Sequence, residues 1–362
     1  MIWKRPPPNG AALFAMPVAV MGVVALVDVV AGPGVGLLPL VSLGPAFASL
    51  VGGWRFTALI GSSALLLCVG LGLYDGLFEG RRGFTATVSV AGVTGAGVAA
   101  ALMRSRREAE LASVRSIAEV AQRVLLRPVP LTAGALQAAV SYTSAAAEAR
   151  IGGDLYEVVA SPYGTRVIVG DVQGKGLAAV ETAAVVLAAF REAAHDEPDL
   201  TGLGERLERS VARELGEEKF VTAILVQIGS DHEAVFLNYG HPPPMLVRRD
   251  GGADFPDPSS YAPPLGLGVE GAGGPEPYRV GFVPGEQLLL YTDGVTEARD
   301  GDGRFYPLAE RGHLLKDTDA NGALQALRED VTRHAVGPPH DDAAMLLLRY
   351  QGHGQGKSTP AG

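Results

Sequence analysis

The stretch Gly170-Asp-Val-Gln-Gly-Lys-Gly176 decides how the C-terminal part of this chain folds. It overlaps the end of the β-branched run Thr165–Val172 and precedes the Ala- and Val-rich run Leu177–Ala194, so we expect a strand before it and a helix after it. The glycines let the backbone turn sharply and let an ion or a phosphate approach closely. Asp171 is therefore a candidate cation ligand at a strand end.

Three more carboxylate-bearing corners stand out, and two of them are also next to glycine. Asp154 lies in Gly152-Gly-Asp-Leu-Tyr156, Asp293 lies in Tyr291-Thr-Asp-Gly294, and Asp341-Asp342 precedes the last expected strand. Successive corners are 17, 122 and 48 residues apart, which excludes a local loop such as an EF-hand. Because Cys and His are lacking at ligand spacing, we expect a hard cation, Mg²⁺ or Mn²⁺, rather than zinc. One Asp-Gly alone is usually a plain turn, but four such corners predict a metal site.

The surrounding pattern favours an α+β fold with layers rather than a Rossmann-type alternation, because most strands follow a pair of helices. We expect a helix and then a strand in Leu131–Tyr142, and a long surface loop between Asp250 and Glu286. The other expected elements are the helices Leu177–Ala194 and Gly202–Leu215 and the strands Thr165–Val172, Phe220–Ile228, Glu233–Tyr239, Met245–Arg249, Gln287–Thr292 and Ala343–Tyr350.

Residues 1–103 have the composition of a membrane region. The chain has 30 basic and 39 acidic residues, but only eight of these charges precede Met103. Four apolar runs in this region are each long enough, at about 1.5 Å per residue, to cross the hydrocarbon layer as helices. In the second run Pro39 and Pro45 make a kinked or re-entrant segment the alternative. The four expected spans are Ala11–Val30, Val35–Val51, Phe56–Tyr74 and Phe84–Met103.

Basic residues predict the orientation of these spans. Lys4 and Arg5, then Arg55, then the cluster Arg104–Arg107 would all lie in the cytoplasm if the chain crosses four times. Arg81 and Arg82 count against this topology, because they fall in an outer loop. We therefore expect a multi-pass protein of the cell membrane whose C-terminal domain is cytoplasmic. Asp28, near the end of the first span, is a possible intramembrane functional group, but its position favours an interfacial side chain that reaches toward water.

Residues 104–130 predict a helical connector. Its apolar residues Leu111, Val114, Ile117, Ala121 and Val124 follow steps of 3, 3, 4 and 3, which is a short heptad seam. The seam favours a homodimer through parallel helices, and a single helix packed on its own domain is an equally weighted alternative. Pro128 and Pro130 would end the helix.

Charge and cysteine content argue against a nucleic-acid partner and against an intramolecular disulfide. The chain has a net charge of −9 and residues 1–103 carry +2, so the remaining residues carry −11. An acidic domain is a poor partner for nucleic acid. The same acidity suits cation binding. Cys68 is the one cysteine, so an intramolecular disulfide is impossible.

Taken in order, the motifs of the C-terminal part resemble a known family. The match runs from about Gln122 to Tyr350 and resembles the SpoIIE-type branch of the metal-dependent protein phosphatases, the PPM superfamily. The resemblance does not extend to residues 1–103. It implies that residues 131–350 form the phosphatase domain, and we expect the Gly-rich residues 351–362 to be a disordered tail. The motifs are Gly152-Gly-Asp-Leu-Tyr156, Gly170-Asp-Val-Gln-Gly-Lys-Gly176, Phe220-Val-Thr222, Gly240-His-Pro-Pro-Pro244, Pro264-Leu-Gly266, Tyr291-Thr-Asp-Gly-Val-Thr-Glu297 and Asp341-Asp342.

The resemblance implies an α-β-β-α sandwich with two Mn²⁺ or Mg²⁺ ions at one end of its sheets. Asp171 would bridge both ions, and the backbone carbonyl of Val172 would be a further ligand. Asp154, Asp293 and Asp341 would supply the other protein oxygens, which makes Asp154, Asp171 and Asp293 the central catalytic residues. Asp342 would be a ligand or would support one. Glu157, Gln173 and Ala344 depart from the family pattern without removing an expected ligand.

The function that the resemblance implies is hydrolysis of phosphoserine or phosphothreonine on a regulatory protein, typically an anti-anti-sigma (STAS) protein. Lys175 would contact a phosphate or would be a solvated turn residue. For His241 a structural role in its turn is the favoured interpretation. A membrane-anchored pseudophosphatase that only binds phosphoprotein is one alternative. A nucleotide cyclase is a more distant one, because Leu155 and Tyr156 stand where diguanylate cyclases need an acidic residue.

Overall fold

The computed structural model describes residues 10–32, 36–143, 152–214, 219–267, 274–316, 319–336 and 341–351. The chain divides into two compact units, Met1–Ser113 and Val114–Gly362. The division falls inside the segment expected to be the connector. Lys4, Arg5 and all but the first residue of the expected tail 351–362 lie outside the described residues.

Apolar helices make up the N-terminal unit: α1 (Gly10–Ala31), α2 (Leu43–Val51), α3 (Trp54–Tyr74) and the start of α4 (Arg81–Leu125). Short 3₁₀ turns cover Leu38–Ser42 and Leu77–Glu79. Among the described residues three helical segments are long and apolar enough to cross a membrane, Ala12–Ala31, Trp54–Tyr74 and Arg81–Val114.

The expectation of about four spans is therefore not confirmed at the second run, the one that its prolines made the weakest. Leu38–Val51 is a 3₁₀ turn joined to a nine-residue helix, as the kinked alternative predicted. Pro39 lies at the start of the turn and Pro45 in the first turn of α2, where a missing N–H is tolerated but a continuous helix through both is not favoured.

Contacts within this unit nevertheless show that the chain doubles back at Leu38–Val51. The rings of Phe14 and Phe56 lie 5.5 Å apart, so α1 and α3 begin at the same end of the unit. At that end Arg104 of α4 donates hydrogen bonds to the carbonyl oxygens of Ser49 and Gly52, at 2.7 and 2.6 Å. Two of the basic positions used to predict orientation, those of Arg55 and Arg104, thus lie together.

Asp28 does not reach toward water as its sequence position suggested. Its side chain is only 4% exposed, and one carboxylate oxygen accepts a hydrogen bond from the backbone N–H of Leu37 at 3.3 Å. The side chain thus packs inside the unit instead of extending to solvent, with Leu37 against this end of α1, and its interfacial or functional role stays a prediction.

The C-terminal unit contains two antiparallel sheets. The first orders its strands β1 (Thr132–Ala133), β2 (Leu136–Thr143), β11 (Ala343–Tyr350), β10 (Gln287–Tyr291), β7 (Met245–Val247) and β8 (Ala253–Asp254). The second orders β3 (Asp154–Ser161), β4 (Gly164–Val172), β5 (Val221–Ile228), β6 (Glu233–Tyr239) and β9 (Tyr278–Gly281). The helices are α5 (Leu177–Asp196), α6 (Leu200–Glu214), the single turn α7 (Asp293–Thr296) and α8 (Ala320–His334), with a 3₁₀ segment at Leu308–Lys316.

Three hydrophobic cores separate the layers. Val169, Phe236 and Leu346 lie in the core between the sheets. A second core joins α5 and α6 to the outer face of the second sheet, and a third joins α8 and the 3₁₀ segment to the outer face of the first. The order of layers is therefore α-β-β-α, and the fold that the resemblance implied is confirmed.

Two sequence-based predictions of secondary structure were wrong. In Leu131–Tyr142 the expected strand is present as the eight-residue β2, but the two-residue strand β1 lies where a helix was expected. The stretch from Asp250 to Glu286, expected to be a loop, contributes β8 and β9 at opposite sheet edges. These edge strands are two to four residues long, too short for their side-chain pattern to show periodicity.

The connector continues the last apolar helix without a break, since α4 ends only at Leu125. Leu111, Val114, Ile117 and Val124 of the expected seam are exposed, the last by 76%. Ala121 instead packs against Val180 of α5. The seam is thus left uncovered by its own domain along most of its length.

Candidate metal centre

The antiparallel pair β3–β4 places the first two candidate ligands face to face. Asp154 is the first residue of β3 and pairs directly with Asp171, near the end of β4. A Cβ on Gly153 would collide with the carbonyl oxygen of Val172 and lie 2.8 Å from Asp171 Oδ1. Glycine at this position therefore lets the β3 backbone approach the Asp171–Val172 corner.

The other sheet brings the remaining candidates to the same end of the sandwich. Asp293 follows β10 and begins α7, and Asp341-Asp342 immediately precedes β11, which pairs with β10. Asp342 is buried, and a Cβ on Gly152 would collide with its carboxylate. The structure thus gathers the corners that the spacing of 17, 122 and 48 residues had separated.

Thr292 ties the two sheets together at this site. Its hydroxyl donates to Asp154 Oδ2 at 2.7 Å and accepts from the backbone N–H of Ala344 at 2.9 Å. All three residues are buried. Sequence reasoning missed Thr292, although it stands directly before Asp293 in the motif; threonine before an expected ligand is the signal that could have found it.

Burial and mutual repulsion raise the pKa values of the clustered carboxyl groups. Burial, followed by the charges of Asp293 and Asp341, raises the pKa of Asp171 to about 7. Burial and then the charge of Asp171 raise the pKa of Asp154 well above its usual value, against the hydrogen bond from Thr292. The pKa of Asp293 is also raised, chiefly by burial. Such a cluster is stabilised when cations replace protons.

The donor set suits hard divalent cations, since it consists of carboxylate oxygens and the adjoining carbonyl of Val172. In the described part of the chain no three Asp, Glu, His or Cys side chains surround a single ion position. Like charges repel, and Asp341 Oδ1 accepts instead from Lys175 Nζ at 2.7 Å. The donor chemistry fits Mn²⁺ or Mg²⁺, and the number of ions and the individual ligand assignments stay predictions.

His241 is buried, and its ring contacts residues of both sheets, with no carboxylate partner among the residues that the structure describes. Its Nδ1 lies 3.1 Å from Thr222 Oγ1, and its Nε2 lies 3.0 Å from the carbonyl oxygen of Tyr291. Because Nε2 must donate to the carbonyl, Nδ1 accepts from the hydroxyl and the ring is neutral. Burial lowers the pKa of His241 to about 4. These contacts support the structural role expected for this histidine.

The end of the connector touches the backbone that carries Asp154. Gln122 Nε2 donates to the carbonyl oxygen of Gly152 at 3.2 Å and to the hydroxyl of Tyr142 at 2.8 Å. Arg191 of α5 donates to the carbonyl of Leu125 at 2.9 Å and, through Nε, to Glu157 of β3 at 2.8 Å. Sequence reasoning used Gln122 only as the start of the matched region and missed these contacts.

Comparison with known families agrees with this architecture. The profile of the family described as Stage II sporulation protein E (SpoIIE) matches residues 161–351, more than half of the chain. The chain belongs to the SpoIIE family. The resemblance read from the motifs is thus confirmed, and the C-terminal unit is a PPM-type phosphatase domain by fold and family.

Individual relatives of this SpoIIE-family protein are distant. Phosphoserine phosphatase RsbU of Bacillus subtilis (strain 168) is 22% identical over 209 residues, which cover 55% of this chain and 60% of RsbU. The RsbU and RsbW domains of Rv1364c from Mycobacterium tuberculosis are 27% identical, with a TM-score of 0.50 and 60% of each chain covered. The SiaA-PP2C domain of Pseudomonas aeruginosa shares the fold, with a TM-score of 0.56, 18% identity, and 68% of this chain and 99% of that domain covered.

Proposed function

We propose that this protein is a membrane-anchored, metal-dependent phosphatase that hydrolyses phosphoserine or phosphothreonine on a regulatory protein. The observation that carries the proposal is the convergence of the Asp154, Asp171, Asp293 and Asp341-Asp342 corners at one end of a SpoIIE-family sandwich. The pKa values of Asp154, Asp171 and Asp293 are raised, first by burial and then by neighbouring carboxylates, which supports a site that a bound cation would stabilise.

The chemistry follows from the arrangement of the chain's own groups. The charges of Asp293, Asp341 and Asp342 all act on Asp171, and this central position suits the proposed bridging role. Two Mn²⁺ or Mg²⁺ ions held there would lower the pKa of a bound water and neutralise charge on phosphoryl oxygens. Thr292 fixes one Asp154 oxygen and leaves the other free to bind. Because none of the clustered groups is a Ser, Cys or His nucleophile, we propose direct attack by water.

The substrate class and cellular location belong to the same proposal. RsbU is a phosphoserine phosphatase, and the Rv1364c relative combines RsbU and RsbW domains, which supports a phosphorylated regulatory protein, of the anti-anti-sigma (STAS) type, as substrate. The chain matches about 60% of RsbU's length, so partner and substrate remain inferences. The three apolar helices support a multi-pass location in the cell membrane with the phosphatase domain in the cytoplasm.

We further propose that the connector forms a homodimer through its seam. The exposed Leu111, Val114, Ile117 and Val124 support this, because isolated apolar residues are common on surfaces but a stripe at heptad spacing is typical of a helix interface. Gln122, on the same helix, contacts Gly152 two residues before Asp154. A change of helix packing would therefore act on the backbone that positions a candidate ligand.

Phosphate release from a phosphoserine peptide tests the proposal. The full-length protein in detergent should release phosphate with Mn²⁺, lose this activity with a chelator, and regain it when Mn²⁺ is restored. A phosphotyrosine peptide of the same sequence is the matched control for substrate class. Binding of the phosphoserine peptide without any release would favour the pseudophosphatase, and the retained carboxylates argue against that outcome.

A further inference from the structure

Lys175 is a basic side chain inside the carboxylate cluster. Its Nζ lies 2.7 Å from Asp341 Oδ1, and its side chain is 32% exposed. Its positive charge also opposes the rise in the pKa of both Asp171 and Asp293, so the ammonium group lies within electrostatic range of three candidate ligands. The sequence left open whether this lysine meets a phosphate or solvent; the structure places it at the candidate metal centre.

The loop that carries Lys175 leaves room for a ligand. Gly174 and Gly176 flank the lysine with φ of +98° and +83°, and a Cβ on either would meet no atom within 4 Å. Lys175 therefore stands between β4 and α5 on a stretch of backbone with open space beside it. Ion pairs with this degree of exposure contribute little to folding stability, so stability alone is a weak reason for the pair.

Charge balance gives the lysine a second partner. The five carboxylates of the cluster exceed the charge of two divalent cations by one unit, which the Lys175 ammonium balances. If Asp341 held a cation, as the resemblance implies, the Lys175 ammonium would lose its present partner while staying beside the centre. A phosphate monoester dianion that approaches this centre then finds a free N–H donor with a full positive charge.

We propose that Lys175 binds the phosphoryl group of the substrate, exchanging Asp341 for a phosphoryl oxygen. This inference rests on the proposed phosphatase function. In the hydrolysis a water oxygen forms the new bond to phosphorus, and the bond between phosphorus and the seryl oxygen breaks with its electron pair on that oxygen. The proton that the water loses is matched by the proton that the seryl oxygen gains from solvent. Lys175 stays protonated throughout and transfers nothing.

The test compares Lys175→Met and Lys175→Arg in the full-length, Mn²⁺-loaded protein. Titration calorimetry with inorganic phosphate measures binding without turnover, and a phosphoserine peptide gives kcat and KM. Lys175→Met should weaken phosphate binding about tenfold and raise KM by a similar factor, because it removes a charge-assisted hydrogen bond. Lys175→Arg should restore much of the affinity. Lys316→Met is the matched control, since Lys316 lies at the end of the 3₁₀ segment and donates to the carbonyl of Asp250.

Mn²⁺ affinity separates this role from a structural one. Lys175→Met should leave Mn²⁺ binding unchanged or tighter, because Asp341 loses a competing cation. Wild-type phosphate affinity in Lys175→Met, or weaker Mn²⁺ binding that accounts for the whole loss, would overturn the assignment, as would a wild type that binds no phosphate. If the wild type binds phosphate in a Lys175-dependent way but hydrolyses no phosphopeptide, the assignment stands and the proposed phosphatase function fails.

Discussion

Replacing Thr292 by valine removes one hydroxyl from the point where the two sheets meet at the metal centre. The hydroxyl donates to Asp154 Oδ2 at 2.7 Å and accepts from the Ala344 N–H at 2.9 Å, and valine has nearly the same shape. The substitution therefore leaves no cavity, and its effects come from the two lost hydrogen bonds.

The expected magnitude follows from these two contacts. A hydrogen bond to a charged group contributes about 1.5–3 kcal/mol, and a buried N–H left without a partner costs about 1–3 kcal/mol. The local free energy of opening should therefore fall by about 2.5–6 kcal/mol. Removal of the hydroxyl also raises the pKa of Asp154 further, since the Thr292 hydrogen bond lowers it. Loss of a group that orients a ligand typically weakens metal binding about 10- to 100-fold.

Hydrogen–deuterium exchange of peptides that contain β3 and β10 measures the first effect, and titration calorimetry with Mn²⁺ measures the second. Thr292→Ser keeps the hydroxyl and should stay near the wild type in both measurements. If Thr292→Val exchanges at the wild-type rate and binds Mn²⁺ with unchanged affinity, Thr292 does not position Asp154 and the reasoning fails.

Three other predictions concern pH, topology and the connector. The pKa of Asp171 is raised to about 7 from a usual value near 4, so the metal-free fold gains stability as pH falls through 7. Because protons compete with the cation, Mn²⁺ affinity should drop about tenfold per pH unit below pH 7. A flat Mn²⁺ affinity between pH 5 and 8 would contradict this prediction. A reporter fused after Tyr350 should score as cytoplasmic, and a signal from the opposite side would refute the topology. Polar substitution of Ile117 and Val124 should weaken dimerisation in analytical ultracentrifugation and change phosphatase activity together, whereas substitution of Glu108 should do neither; a monomeric wild type would leave the connector as a tether.

The chemistry-bearing corners could be predicted from sequence because strand ends, glycine and carboxylate recur together. The Gly170–Gly176 motif lies between β4 and α5 as expected, and Asp154 pairs with Asp171. The contacts of Thr292, Gln122 and Lys175 could not be predicted, because each joins elements far apart in the chain. No periodicity or spacing reports a partner 138 residues away, as between Thr292 and Asp154.

The failures have a different cause, which is that tertiary contacts override local pattern. The short strands β8 and β9 exist because each pairs with an edge strand, not because of their own residues. Asp28 is buried and accepts a hydrogen bond from Leu37, although its position near a helix end favoured exposure. In the second apolar run, Pro39 and Pro45 carried the decisive signal, and the kinked alternative that they supported is the one observed.

Comparison of wild type and Asp171→Asn tests the central claim most directly. Both are assayed for Mn²⁺ stoichiometry and for phosphate release from the same phosphoserine peptide. The wild type should bind two ions and turn over. Asp171→Asn should lose at least one ion and abolish release, because in the proposed site this carboxylate would hold both cations. Asp171→Asn that binds two ions and releases phosphate at the wild-type rate would contradict the assignment of this carboxylate cluster as the catalytic centre.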